Sequence, residues 1–224
     1  MLQAIAPDIW HAQHHFVIKG IHLSTRMTVV RLRDGRLWLH SPIPLTPELR
    51  NQVEALGDIA YLVAPSKVHH LFIGEWAKAY PEALLFGPRG LSAKRPDLQG
   101  LRVLAPSGEP EWMEELGQLL FEGIPTINEH AWFHWPSRSV ILTDLCQCWE
   151  GDLPIATRLY AKLTGVRNRL AVPRTIRLIN RDREAARASA AKILEWPTER
   201  VIVAHNAIIE QDARAALSEA LAWF

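Results

Sequence analysis

Two rhythms of apolar and polar positions alternate along the chain. Met27 to Arg33 (MTVVRLR) has the period-two pattern of a strand and is rich in β-branched residues; Asp34-Gly35 supplies a hairpin turn, and Arg36 to His40 (RLWLH) the return strand. Thr46 has the chemistry of an N-cap and Pro47 suits the first helical position, which predicts a helix to about Leu56, ended by Gly57. Ile59 to Val63 (IAYLV) is a continuous apolar run, the mark of a strand buried on both faces. His69 to Tyr80 carries apolar residues at helical spacing until Pro81 stops it, and Leu84 to Phe86 reads as a short strand before the turn Gly87-Pro88-Arg89-Gly90.

Further on, Ala131 to His134 and Ser139 to Thr143 flank Trp135-Pro136-Ser137-Arg138, a hairpin signature. Trp149 to about Leu170 predicts a helix with Gly165 as a break, and Arg183 to Glu195 an Ala-rich amphipathic helix. Val201 to Ala204 (VIVA) is a buried strand, and Gln211 to Trp223 a last helix. Trp76 and Trp223, on predicted helices beside apolar neighbours, are expected to pack on sheet faces. Strands first, then strand and helix alternating with a hairpin between, predict an α/β protein with more than one sheet.

Composition narrows the function classes. The 224 residues suit one large domain, 1–224. With 25 basic and 24 acidic side chains, the net charge of +1 gives no sign of a nucleic-acid surface or a polybasic membrane anchor. No apolar run approaches the roughly 20 residues that span a bilayer, and Met1 to Trp10 lacks the basic stretch and apolar core of a secretory signal. The expectation is a cytoplasmic protein acting on a small molecule, with no nucleic-acid or membrane partner. Cys146 and Cys148 have neither redox-motif nor disulfide spacing and read as packing.

Candidate chemistry lies at the strand ends, because ligands of α/β folds gather at the carboxyl ends of strands. IAYLV runs into Ala64-Pro65-Ser66-Lys67-Val68-His69-His70, SVILT delivers Asp144, VIVA delivers His205 and RLWL delivers His40. Histidines and an aspartate that converge are ligands for zinc, iron or manganese. An unpaired polar side chain buried at a strand end costs about 1–3 kcal/mol, so such residues need a partner. The competing reading makes Asp144 a cap of the following segment and His205 a hydrogen-bonded core residue. His130 and His134 read as exposed hairpin positions, and Arg26 as a surface residue.

The segments LWLHSPIPLTPELR, YLVAPSKVHHLFIGEW, PSRSVILTDL and VIVAH resemble the metallo-β-lactamase-fold hydrolases and, more closely, the DUF4336 family within that superfamily. The resemblance implies an αββα four-layer sandwich of two mixed β-sheets flanked by helices. The superfamily motif His-x-His-x-Asp-His, laid on the chain without a gap, puts its first-metal histidines on Pro65 and Lys67, which cannot replace them. Its second-metal positions fall on His69 and His70, its bridging aspartate on Asp144 and its last histidine on His205. His40 and Lys67 would support the site, Lys67 as a solvated side chain or as a cation in the space of the missing metal.

The resemblance therefore implies a metal-dependent hydrolase with one divalent ion, zinc, iron or manganese, held by a subset of His69, His70, Asp144 and His205. A remaining superfamily histidine has no match in the chain, and Glu129 or His130 would stand in for it, Glu129 as ligand or base. Asp144 would be ligand and orienter of a water, and Glu129 the proton shuttle. The rival is a non-catalytic member of the fold whose cleft binds a small molecule or partner. An iron-dependent oxidoreductase is a third reading.

Overall fold

The hairpin turning at Asp34-Gly35 organises the first sheet. In the computed structural model, which describes residues 1–18 and 20–224, strands β1 (Gln3–Ala6), β2 (Ile9–Ile18), β3 (Ile21–Arg31), β4 (Arg36–His40), β5 (Asp58–Val63), β6 (Leu84–Gly87) and β7 (Arg102–Val103) lie in that spatial order. The β1–β2 and β3–β4 pairs are antiparallel, whereas β4 through β7 run parallel, so the sheet is mixed. Helix α1 (Pro47–Glu54) starts where the sequence predicts, with the Thr46 hydroxyl accepting the Leu49 N–H at 3.2 Å. Gly57 is required after it, because a side chain there would collide with the Gly35 carbonyl.

The chain divides into two compact units, the first comprising Met1–His14 and Arg26–Ala105. Its core includes Met27, Val29, Leu37, Leu39, Leu62 and Trp76, whose indole donates to the Ile43 carbonyl at 2.7 Å. Helices α2 (Ile73–Ala79) and α3 (Leu91–Lys94) complete it. Helix α2 starts at Ile73, so the predicted helical run from His69 is corrected: residues 69–71 are loop. The sequence pattern also starts β3 too late. With the strand beginning at Ile21, Arg26 sits in its interior, buried, with Nη1 2.6 Å from His11 Nδ1, and is no surface residue. Burial holds the Arg26 guanidinium down to about 10, and burial with the Arg26 charge holds His11 down to about 4.

The second unit, His15–Thr25 with Pro106–Phe224, has its own mixed sheet and core. Strands β8 (Leu116–Leu120), β9 (His130–His134), β10 (Ser139–Ile141), β11 (Arg200–Ile202) and β12 (Ile208–Ile209) are ordered β12-β11-β10-β9-β8, with only β10–β11 parallel among the described pairs. Helices α4 (Ile155–Thr164), α5 (Arg174–Ile179), α6 (Arg183–Glu195) and α7 (Ala213–Leu221) flank it. Helix α6 has the predicted bounds, capped by Asp182 on the Ala185 N–H at 3.0 Å. Phe133, Val140, Ile193, Val201 and Leu217 fill the core.

Two expectations change in this unit. The long helix from Trp149 to Leu170 is only the ten-residue α4, entered at Pro154 and ended by Gly165 in the left-handed region at φ 81°. Residues 147–149 before it are extended and bridge Ala171, Asn206 and Arg167. His130 and His134 are buried, because β9 lies between β8 and β10; Ser137 Oγ is 2.7 Å from His134 Nδ1. Trp223 packs against the core as expected but is only half-buried, with the Arg177 and Arg183 guanidinium groups 5.3 and 5.2 Å from its ring. Among the described residues no helix is long and apolar enough to cross a membrane.

Candidate functional site

Strand register builds the centre of the second unit. Ile141 of β10 pairs in parallel with Ile202 of β11, so Asp144 and His205, each three residues further on, leave the sheet side by side. On the other side, β9 pairs antiparallel with Trp132 opposite Ile141, which puts Glu129 level with Asp144. All three sequence candidates of this unit are thus brought together by one set of ladder bonds.

The contacts follow that placement. Asp144 Oδ1 lies 3.1 Å from His205 Nε2, and both side chains are largely shielded from solvent. His205 Nδ1 is 2.6 Å from the Ser24 carbonyl. A carbonyl only accepts, so Nδ1 carries a proton, and Nε2 of the neutral ring presents a lone pair. That lone pair faces a carboxylate oxygen, which is also an acceptor. Two acceptors at hydrogen-bond distance need a positive species, either a proton on Nε2 or a metal cation. Burial opposes a charged ring, but the Asp144 carboxylate, the Ser24 carbonyl and the Glu129 charge outweigh it and raise the His205 pKa above its ordinary value.

Glu129 stands behind Asp144. Its carboxylate accepts the backbone N–H groups of Thr143 at 2.6 Å and of Asp144 and Leu145 at 2.9 Å each. Burial, then the charge of Asp144, push its carboxyl up to about 7 against the pull of those donors. With its oxygens committed to three backbone donors, Glu129 has the geometry of an anchor for the loop that carries Asp144, in place of the expected proton shuttle.

Sequence reasoning missed the network on the other side of Asp144. Gln147 Nε2 donates to Asp144 Oδ1 at 3.1 Å. Its amide is oriented by Trp149 Nε1 and Tyr160 Oη, which donate to Gln147 Oε1 at 3.1 and 3.3 Å. The Trp149 ring stacks on the His205 imidazole, 5.8 Å between centroids and 14° from parallel. The signal was present as alternation in Cys146-Gln147-Cys148-Trp149: the cysteines are buried, and the residues between them turn to the site. Burial raises both thiols, Cys148 to about 11, which suits packing.

The remaining candidates belong to the first unit. His69 follows β5 on a loop held by Ser66 Oγ, which accepts its N–H at 3.1 Å, and Ser41 Oγ lies 3.0 Å from His69 Nδ1. Ser41 adopts φ 52°, a conformation a non-glycine residue holds only when its surroundings impose it. His40 is buried and stacked on Trp38, and burial followed by the charge of His69 holds it down to about 3, so the ring is neutral. His70 is engaged at one ring nitrogen, and its Nε2 is buried. Arg95 Nη1 lies 3.1 Å from its Nδ1 and donates to its carbonyl at 2.7 Å, so that lone pair is already committed to a cation. Lys67 packs against Gly90, and its carbonyl accepts the Lys94 ammonium at 2.7 Å.

Residues 7–92 match the profile of a family described as "Domain of unknown function (DUF4336)". No curated protein matches the chain. Among solved structures, a metallo-β-lactamase from Pontibacter korlensis is similar with a TM-score of 0.68 and 10% identity, over 99% of this chain and 98% of that one. FIM-1 from Pseudomonas aeruginosa, a metallo-β-lactamase in its mono-zinc form, gives 0.66 at 10% identity over 100% and 95%. The metal-soaked flavodiiron core of Flv1 from Synechocystis sp. PCC6803 gives 0.69 at 11% identity, covering 100% of this chain and 60% of that one. Identities this low speak to fold alone.

Proposed function

From the premise of a metallo-β-lactamase fold, we propose that this chain is a metal-dependent hydrolase with a single-ion site at Asp144 and His205. The observation that carries the reading is the facing of two acceptors, the Asp144 carboxylate and the Nε2 lone pair that the Ser24 carbonyl fixes on His205. A carboxylate and an imidazole with its second nitrogen held by a carbonyl fit a borderline divalent cation such as zinc. The sequence motif nominates His69 as a further ligand; the Arg95 contact at Nδ1 of His70 makes that residue the weaker candidate.

When bound, the ion supplies Lewis acidity and an acidified water. The chain's own residues do the rest. Gln147 fixes the rotamer of Asp144, so that its second oxygen is directed by the same contact. Glu129 holds the backbone under Asp144 and keeps the carboxylate level with His205. Trp149 covers one face of the imidazole and limits water there.

Metal analysis after reconstitution with zinc, manganese or ferrous iron tests the reading. One equivalent per chain is expected in the wild type, lost in Asp144→Ala and His205→Ala, weakened in His69→Ala and retained in Lys67→Ala. No bound metal in the wild type would leave a proton as the species between the two acceptors and overturn the proposal.

A further inference from the structure

Residues 153–181 contain seven Lys or Arg and no Asp or Glu, although the whole chain carries a net charge of only +1. Helix α4 occupies the start of this stretch and is apolar on two opposite sides. Thr157, Ala161 and Thr164 face the interior. Ile155, Leu159 and Leu163 recur every fourth residue, which aligns them in a stripe on the other side, and they are 76%, 54% and 62% exposed. Arg158 and Lys162 flank the stripe. Arg174 of α5 donates to the Leu163 carbonyl at 3.2 Å, which sets a cation at its far end; Leu178, one turn along α5 from Arg174, is 82% exposed. Among the cations of this stretch, only Arg169 reaches a carboxylate in the described structure, Glu219 at 3.9 Å.

The tip of the β2–β3 hairpin adds to the same side of the second unit. The Thr157 hydroxyl accepts the His22 N–H at 3.1 Å and donates to the His22 carbonyl at 2.8 Å, which ties the hairpin to the first turn of α4. Val17 and Ile18 at that tip are half exposed, and Val17 lines one cavity with Leu153 and Pro154, the residues that lead into α4.

We propose that the α4–α5 face, with the hairpin tip beside it, docks this protein on an anionic lipid bilayer. An exposed apolar stripe edged by long cationic side chains is the geometry of an interfacial helix: the leucines enter the acyl boundary while Arg and Lys reach the headgroups. A second copy of the chain is a poorer occupant, because a twofold contact would set seven cations against one another with only Glu150 and Asp152, just before the stretch, and Asp182, just after it, to answer them. No single cation here is strong enough to anchor alone. Each Lys or Arg near an anionic surface contributes about a fivefold gain in partitioning, and the stripe adds the apolar term.

Co-sedimentation of the full chain with phosphatidylcholine vesicles, with and without phosphatidylserine, tests this. Binding is expected only with phosphatidylserine and is lost at high salt. Replacing Arg158, Lys162 and Arg174 together by Gln should lower the partition coefficient about a hundredfold. Leu159→Ser with Leu163→Ser should weaken binding at unchanged charge; both side chains are exposed, so thermal melts of the variants should match the wild type. Equal binding to both vesicle types, no binding to either, or variants that bind like the wild type would overturn the proposal. So would light scattering that shows a dimer disrupted by the same substitutions in a protein that ignores vesicles.

Discussion

Glu129→Ala removes one carboxylate and leaves three buried backbone donors, those of Thr143, Asp144 and Leu145, without an acceptor. Hydrogen bonds to a charged group contribute about 2 kcal/mol each, or roughly 6 kcal/mol for the three. Burial of the charge opposes this gain, so the expectation is a loss of a few kcal/mol at most, about 3 kcal/mol, read as the shift of the urea midpoint times the slope in chelator-treated protein. The pH dependence provides a second reading. The folded value lies above the unfolded one, so this group's contribution is complete below about pH 4.5 and declines as pH rises through 7. Glu129→Gln, which cannot titrate, should flatten that decline. A loss below about 1 kcal/mol for the alanine variant, with the wild-type pH slope retained, would show that the loop is held by something other than this carboxylate.

Other consequences are as direct. Trp76→Ala should cost about 3–5 kcal/mol in denaturant unfolding, since the indole is fully buried and bonded to Ile43, whereas Trp223→Ala, half-buried between two guanidinium groups, should cost less than half as much. His40, held down to about 3 by burial, must be neutral in the folded chain; its contribution to stability is present above the unfolded value of 6.5 and lost as pH falls toward 3. His40→Gln should therefore show a shallower acid slope in urea midpoints than the wild type, and an identical slope would refute the assignment. In metal analysis the Asp144→Ala and Lys67→Ala variants should part company, the first empty and the second loaded.

Much of the fold is written in local pattern. The Thr46-Pro47 cap, the apolar run into Val63 and the Asp182 cap of α6 need no tertiary information, and all three appear where the spacing puts them. Strand β2 was illegible because His11, Gln13, His14 and His15 break its alternation, and its pairing with β3 hides Arg26 from a reader who starts the strand at Met27. The over-read helix at Trp149 failed for a related reason: Gln147 and Trp149 look for partners at Ala171 and Arg167, contacts no local window contains. Asp144 and His205 were legible as polar residues ending apolar strands. The capture of His70 by Arg95, 25 residues away, and the orientation of Gln147 by Tyr160 were not, because each depends on where another segment folds back.

The parallel pairing that sets Ile141 beside Ile202 also has a meaning in time. Asp144 and His205 are 61 residues apart, and at a synthesis rate of about 5–20 residues per second they leave the ribosome roughly 3–12 s apart. The β9–β10 hairpin closes in microseconds, so Glu129 and Asp144 meet early, before His205 exists to face Asp144. Only when β11 enters the sheet in the correct register does His205 arrive opposite Asp144, and a slip of one residue would turn its ring to the other face. The imidazole is thus added last, and its contact with Asp144 reports that the parallel crossover has closed correctly.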